Sequence, residues 1–323
     1  MNRYIDPTSD IFIIYLLGSP ENKLILLDFI NSVLSDSGFE RIVDVEVKNP
    51  FNIKTFSYDK MSILDVKATD ENDRVYDIEV QTYGNEIFVN RSIYYWARNY
   101  SNQIVEGDNY VQLKPVICIN LLKFKLFDDI DKIHTCFIPF EKDNKNIPLT
   151  DHFQIHFIEL PKFSEKIKIE ESLFDWLLFF KNENDVEEDY METLLERNKI
   201  IKKAHEKYKA FTQDEKLRDL YEARLKYQRD QSTLIEVAEK KGEIKGKIEG
   251  IIEKSQLTLL KQMKKKFNLS DTDEKIILNC KDELLLDTAL DEILFANDKE
   301  SILRIFNNPN VDLHCSRINR EPI

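Results

Sequence analysis

Several features that commonly define a function class are scarce or missing from this chain. No stretch approaches the roughly 20 uninterrupted apolar residues that a membrane-spanning helix requires, so no contact with a membrane is expected. The opening MNRYIDPTSD lacks the basic-then-apolar layout of a secretory signal, and the expected address is the cytoplasm. Only four cysteines occur, Cys118, Cys136, Cys280 and Cys315, far apart and without a CxxC pair. A zinc knuckle or a disulfide framework is therefore not expected, and these read as reduced, structural thiols. The five histidines show no HxH or HxxxH spacing suited to a metal, except that His152 and His156 are four apart in a run that reads as strand. Net positive charge is also missing. The formal charge of −13 excludes a protein whose affinity rests on a broad basic surface. It does not exclude an enzyme acting on phosphodiesters, because such enzymes gather carboxylates at a metal site and contact nucleic acid through a local patch.

What is present is a chain of 323 residues, long enough for two domains, with 42% hydrophobic residues, 20 Phe and 13 Tyr. That composition buries a substantial core. Residues 10–34 read as two helices interrupted at Gly18-Ser19-Pro20. Residues 41–47 alternate with period two, and β-rich runs at 61–69 and 74–82 flank the turn composition Asp70-Glu71-Asn72-Asp73, which predicts a strand followed by a hairpin. A helix is expected over 87–105, with Ile87, Ile93, Tyr94, Ala97 and Ile104 near one face and Gly107 ending it. KPVICINLL at 114–122 reads as a buried strand, and 152–160, with Phe153, Ile155 and Phe157 alternating, as another. After Pro161 the character changes. ESLFDWLLFF is an amphipathic helix, and nearly all of 187–306 is helical in composition, poor in glycine and free of proline. A domain boundary is therefore expected near 161–170, giving an α/β domain over 1–165 and an all-helical region over 166–323 that serves oligomerisation or partner binding. In that region Ile201, Ala204, Tyr208 and Phe211 share a heptad-like face. KGEIKGKIEG repeats glycine every four positions, at Gly242, Gly246 and Gly250, which suits either close helix approach or a weak helix or flexible linker. The run Lys264-Lys265-Lys266 reads as a solvated helix face.

The segment ILDVKATDENDRVYDIEVQ carries the candidate chemistry. Glu79 and Gln81 are two apart and project from one face of a strand, and the hairpin can bring Asp65 alongside them. Two carboxylates, completed by water and a phosphate, suit Mg²⁺, with Mn²⁺ as a substitute. A metal there would lower the pKa of a bound water and offset charge on the phosphate. Gln81 cannot serve as a base, since an amide takes up no proton at neutral pH; it can orient water or donate to a phosphate oxygen. By spacing alone, the same pattern also fits solvent-facing polar residues on an ordinary hairpin.

The order of motifs supplies more. IDPTSDIF, GSPENKLILLDFINSVL, Asp59-Lys60 before SILDVKA, YDIEVQ, RSIYYWARNYSNQI, GDNYVQLKPVICINLL and FIELPKF follow one another. Together with SLFDWLLFF and KGEIKGKIEG they resemble the Rpn family of recombination-promoting nucleases, also labelled transposases, within the PD-(D/E)XK nuclease superfamily. The resemblance covers most of the chain. It implies a restriction-endonuclease-like core, a mixed sheet flanked by helices, with a helical C-terminal extension. It also implies Mg²⁺-dependent DNA endonuclease activity linked to recombination or mobile elements, with DNA as partner. By motif match Asp65 and Glu79 take the metal-binding acidic positions, and Gln81 stands where the superfamily name places lysine, a replacement usual in this family. The first helix departs from the family pattern of phenylalanine, lysine and phenylalanine before the glycine, having Ile13, Ile14 and Leu17 before Gly18. Asp10, and behind it Glu21, are candidates for a further carboxylate, although helix capping accounts for either. On the following helix Arg91 and Tyr95, and with them Arg98 and Gln103, are candidates to face phosphate or order the site. The altered first helix and the acidic charge leave a second expectation open: a catalytically weak member of the fold acting as a nucleic-acid-binding or assembly module. A third leaves the helical C-terminal region as the active part, through homo-oligomer or partner contacts.

Overall fold

The structure is a computed structural model. It describes residues 5–49, 51, 65–82, 84, 87–164, 166–181 and 188–307; the side chains of Asp65, of residues 188–190 and of residue 307 lie outside the description. The described chain divides into two compact units, 1–227 and 228–323.

The first unit is built on a six-stranded mixed sheet. Its strands are β1 (Val45–Val47), β2 (Asp65–Asp70), β3 (Val75–Gln81), β4 (Val116–Leu122), β5 (His134–Phe137) and β6 (Phe153–Glu159), in the order β1-β2-β3-β4-β6-β5. The pairs β1–β2, β2–β3 and β5–β6 are antiparallel, whereas β3–β4 and β4–β6 are parallel. The expected strands over 74–82, 114–122 and 152–160 correspond to β3, β4 and β6. β5 was not foreseen, because HTCF is too short to register a period. Of the strand expected over 61–69, residues 61–64 lie outside the described residues.

Turn chemistry fixes the hairpin register. The carboxylate of Asp70 accepts from the backbone N–H of Asn72 and Arg74 at 2.9 and 3.0 Å, and from Arg74 Nε at 2.6 Å and the Tyr76 hydroxyl at 3.1 Å. Asp73 adopts φ 61°, a left-handed conformation that aspartate tolerates better than most residues. With the turn set, alternation sorts the strands. Val66, Ala68, Tyr76, Ile78 and Val80 enter the main core beneath one face of the sheet, together with Ile117, Ile119 and Leu121. Asp77, Glu79 and Gln81 fall on the other.

The main core is closed by α1 (Asp10–Gly18) and α2 (Lys23–Asp36). α1 is buried all round except at Tyr15, as expected of a helix that is apolar on every side; Ser9 caps it by accepting from Phe12 N–H. Three further helices, α4 (Glu171–Phe180), α5 (Glu188–Arg197) and α6 (Lys199–Gln213), continue this layer. The face of Ile201, Ala204, Tyr208 and Phe211 is fully buried, with the Phe12 ring edge-on to Tyr208 and Phe211 at 5.2 and 5.3 Å. The sheet ends at Glu159, near the boundary expected at 161–170, while α4 to α6 pack in the same unit as the sheet.

The opposite face is covered by α3 (Ile87–Ser101). Its burial corrects the expected orientation: Ile87, Ile93 and Tyr94 are exposed, and Phe88 and Ser92 are buried. The inward face also carries Arg91, Tyr95, Trp96 and Asn99, mostly polar or amphipathic, so a search for an apolar stripe selects the wrong side.

The second unit contains most of α7 (Glu215–Lys266) and all of α8 (Asp271–Asn279), α9 (Glu283–Glu292) and α10 (Lys299–Asn307). Its core joins Ile252, Leu259 and Met263 of α7 to Ile277, Leu286, Ala289, Ile302 and Leu303. α7 runs unbroken through Gly242, Gly246 and Gly250, and a Cβ at any of the three would meet nothing within 4 Å, so among the described residues the glycines bring no second helix close. No helix among the described residues is long and apolar enough to cross a membrane.

Candidate active site

The hairpin register pairs Asp65 directly with Glu79, and Lys67 with Asp77. Residues opposite one another in an antiparallel pair share a face of the sheet, so two acidic positions stand side by side on the face under α3. In the parallel direction, Glu79 is in register with Asn120 and Asp77 with Cys118.

Glu79 is buried and is held from two sides. Its Oε1 accepts from Gln81 Nε2 at 2.7 Å and from Arg91 Nη2 at 2.6 Å, while Arg91 Nη1 donates to Gln81 Oε1 at 3.3 Å. One guanidinium thus forks across both side chains. Charge-assisted bonds of this kind are short and directional, and they fix a carboxylate's orientation as well as stabilising its charge. Arg91 is itself positioned by rings: its guanidinium carbon lies 5.2 Å from the Tyr95 centroid and 5.8 Å from that of Phe88. The Arg91 Nε is buried without a hydrogen-bond partner among the described residues, yet 38% of the side chain is exposed. Arg91 therefore sits at the boundary between the buried carboxylate and solvent.

A second group lies one register step along. Lys67 Nζ donates to Asn99 Oδ1 at 3.1 Å, and Asn99 Nδ2 donates to Asp77 Oδ2. Arg91, Tyr95 and Asn99 are spaced by four and so line one face of α3. These contacts tie that face to both strands of the hairpin. The Cys118 thiol lies close enough to feel the carboxylates: burial first, then the charges of Asp77 and Glu79, hold its pKa well above the usual thiol value. Lys67, Asp77 and Asn99 were missed by sequence reading. The period-two argument that selected Glu79 and Gln81 extends to Asp77 and Lys67, and the four-residue step from Tyr95 reaches Asn99.

The other sequence candidates separate. Arg91 and Tyr95 join the site, with Tyr95 half-buried beneath Arg91. Asp10 is buried at the start of α1, where its Oδ2 takes Arg224 Nε at 2.7 Å and Nη2 at 2.6 Å; it forms an ion pair with α7. Glu21 is exposed in the turn before α2 and makes no hydrogen bond or ion pair with Glu79 or Gln81. Gln103 exchanges two hydrogen bonds with the backbone of Lys114 at 2.7 and 3.0 Å, a structural clasp ahead of β4. Arg98 is exposed. Asp59 and Lys60 of the quoted motif lie outside the described residues, as does the side chain of Asp65.

As for a metal, the donor set fits a hard divalent cation. Two carboxylate positions are paired across adjacent strands, one of them already oriented, and such oxygen donors suit a hard cation. Among the described residues alone, no group of three or more His, Cys, Asp or Glu side chains converges as a metal cage.

A family model described as PD-(D/E)XK nuclease family transposase matches residues 7–238, which takes in the whole sheet, α1 to α6 and the first part of α7. No curated protein and no solved structure matches the chain significantly.

Proposed function

The chain belongs to the PD-(D/E)XK nuclease family transposases, and from that premise we propose that it is a Mg²⁺-dependent DNA endonuclease, with Mn²⁺ as a substitute, acting in recombination or the movement of DNA elements. The observation that carries the reading is the register of Asp65 against Glu79 on the face covered by α3. Asp65 and Glu79 would hold the ion. When bound, such an ion lowers the pKa of a coordinated water and offsets charge on the scissile phosphate.

The chain's own residues supply the rest. Gln81 and Arg91 hold the Glu79 carboxylate in a fixed orientation on the face under α3. Gln81 acts as an orienting group with no role as base, its amide serving the carboxylate or a phosphate oxygen. Arg91, its side chain partly exposed beside Glu79, suits a nonbridging phosphate oxygen, and Tyr95 steadies it through its ring.

The test is nicking of supercoiled plasmid by the purified full chain in Mg²⁺, with Asp65→Ala and Glu79→Ala compared by calorimetric titration of Mn²⁺. Loss of both nicking and Mn²⁺ binding in the two variants is expected. Nicking at the parental rate by Asp65→Ala would overturn the assignment. A second reading, a nuclease-fold protein that binds nucleic acid with little catalysis, is favoured by one observation. Glu79 is already satisfied by Arg91 and Gln81, so an ion must compete with a cation for it. DNA binding indifferent to Mg²⁺, with no nicking, would select that reading.

A further inference from the structure

The part of α7 before the second unit's core carries a second feature, separate from the site on the sheet. Leu234, Val237, Lys241, Ile244, Ile248 and Ile251 follow one another in alternating steps of three and four. At 100° per residue they fall within about 100° of arc, a continuous stripe some five turns long. The five apolar members are between 44% and 63% exposed, and the core of α8 to α10 engages α7 only from Ile252 onward. Five large aliphatic side chains in one row on a soluble helix mark a contact surface.

The charges beside the stripe say what kind of surface covers it. In heptad terms the stripe occupies the a and d positions; of the four flanking e and g positions within it three are lysine, Lys240, Lys245 and Lys247, the fourth being Ala238, and Lys241 lies within the stripe itself. The glutamates of the same stretch, Glu236, Glu239, Glu243, Glu249 and Glu253, lie farther round the helix; Glu236 and Glu243 pair back to Lys240 and Lys247 at 2.7 and 2.6 Å. In a parallel pairing of two copies, Lys240 of one helix would face Lys245 of the other; antiparallel pairing about the stripe's centre would set Lys240 against Lys247. Both juxtapose like charge. A partner with acidic flanks removes this conflict.

We propose that residues 234–251 of α7 form a docking surface for an amphipathic helix whose apolar row is flanked by aspartate or glutamate, the two pairing as a heterotypic two-stranded coil. Specificity comes from the lysines, which favour the acidic partner and oppose a second copy of the same helix.

The test uses two synthetic helices with the same leucine and isoleucine row, one flanked by Glu and the other by Lys, titrated against the full chain by fluorescence anisotropy. The acidic helix should bind at least tenfold more tightly, with the gap shrinking in 0.5 M salt. The variant Lys240→Glu/Lys245→Glu/Lys247→Glu should reverse the preference, and Ile244→Asp/Ile248→Asp should abolish binding of both, with circular dichroism showing that helix content is retained. Equal affinity for the two peptides, or no binding of either, overturns the proposal. So does self-association of the full chain in sedimentation that depends on Ile244 and Ile248 and outcompetes the acidic peptide. Co-sedimentation with anionic vesicles in place of peptide preference overturns it in favour of a lipid surface.

Discussion

Asp10 offers a sharp separation between a catalytic and a structural carboxylate. Its side chain is 5% exposed and that of Arg224 13%, with Nε and Nη2 both donating to one carboxylate oxygen. Removing one member of such a pair leaves a buried charge without compensation, which typically costs about 3–5 kcal/mol. For a unit of 227 residues, the unfolding entropy is about 0.5 kcal/mol per kelvin, so Asp10→Asn should lower Tm by ~6 to 10 °C. Arg224→Met should cost a similar amount. The double variant Asp10→Leu/Arg224→Met replaces the pair by apolar groups and should recover most of the loss, since buried ion pairs are often dispensable when both members go. The assay is urea and thermal unfolding followed by circular dichroism, alongside calorimetric Mn²⁺ titration. Mn²⁺ affinity should be unchanged in Asp10→Asn at a temperature where it is folded. Stability within about 0.5 kcal/mol of the parent, combined with lost Mn²⁺ binding, would refute the reasoning and return Asp10 to the metal site.

Further outcomes follow from other parts of the fold. Arg91→Lys keeps the charge but cannot fork across Glu79 and Gln81, so on the proposed function plasmid nicking should fall by roughly 10- to 100-fold, the loss seen when a residue bracing a metal ligand is changed; an unchanged rate would count against the brace. A Cβ added at Gly242, Gly246 or Gly250 meets nothing within 4 Å, so changing all three to alanine should raise the helix content and melting temperature of the C-terminal region, by up to ~1 kcal/mol per site. A fall in stability instead would mean that the glycine face is packed in solution. His156 is fully buried, and burial together with the neighbouring His134 holds its pKa well below the ordinary 6.5. The unfolded chain therefore binds a proton that the folded one refuses, and stability should drop as pH falls below about 6.5, by up to ~1.4 kcal/mol per pH unit. His156→Phe should flatten that slope between pH 6.5 and 5 in urea titrations, whatever it does to stability at pH 7.

Local rules on the sequence went far here because several of them are short-range. Period-two alternation located β3 and the shared face of Glu79 and Gln81; the Asp70–Asp73 turn was visible from its residue types; and the Ile201, Ala204, Tyr208 and Phe211 face followed from heptad spacing. The motif order carried the family. The pairings across long separations were set by tertiary packing alone. Whether Asp65 stands opposite Glu79 or one residue off depends on a register set by the Asp70 carboxylate and the φ of Asp73, and a slip of one would turn every side chain to the other face. The orientation of α3 depended on polar side chains reaching the hairpin, a signal invisible to hydrophobic periodicity. The role of Asp10 rested on Arg224, 214 residues away, and no local pattern encodes that distance. A strand's alternation is dictated by its own backbone geometry, whereas a helix's inward face and a buried carboxylate's partner are chosen by whatever the rest of the chain brings alongside them.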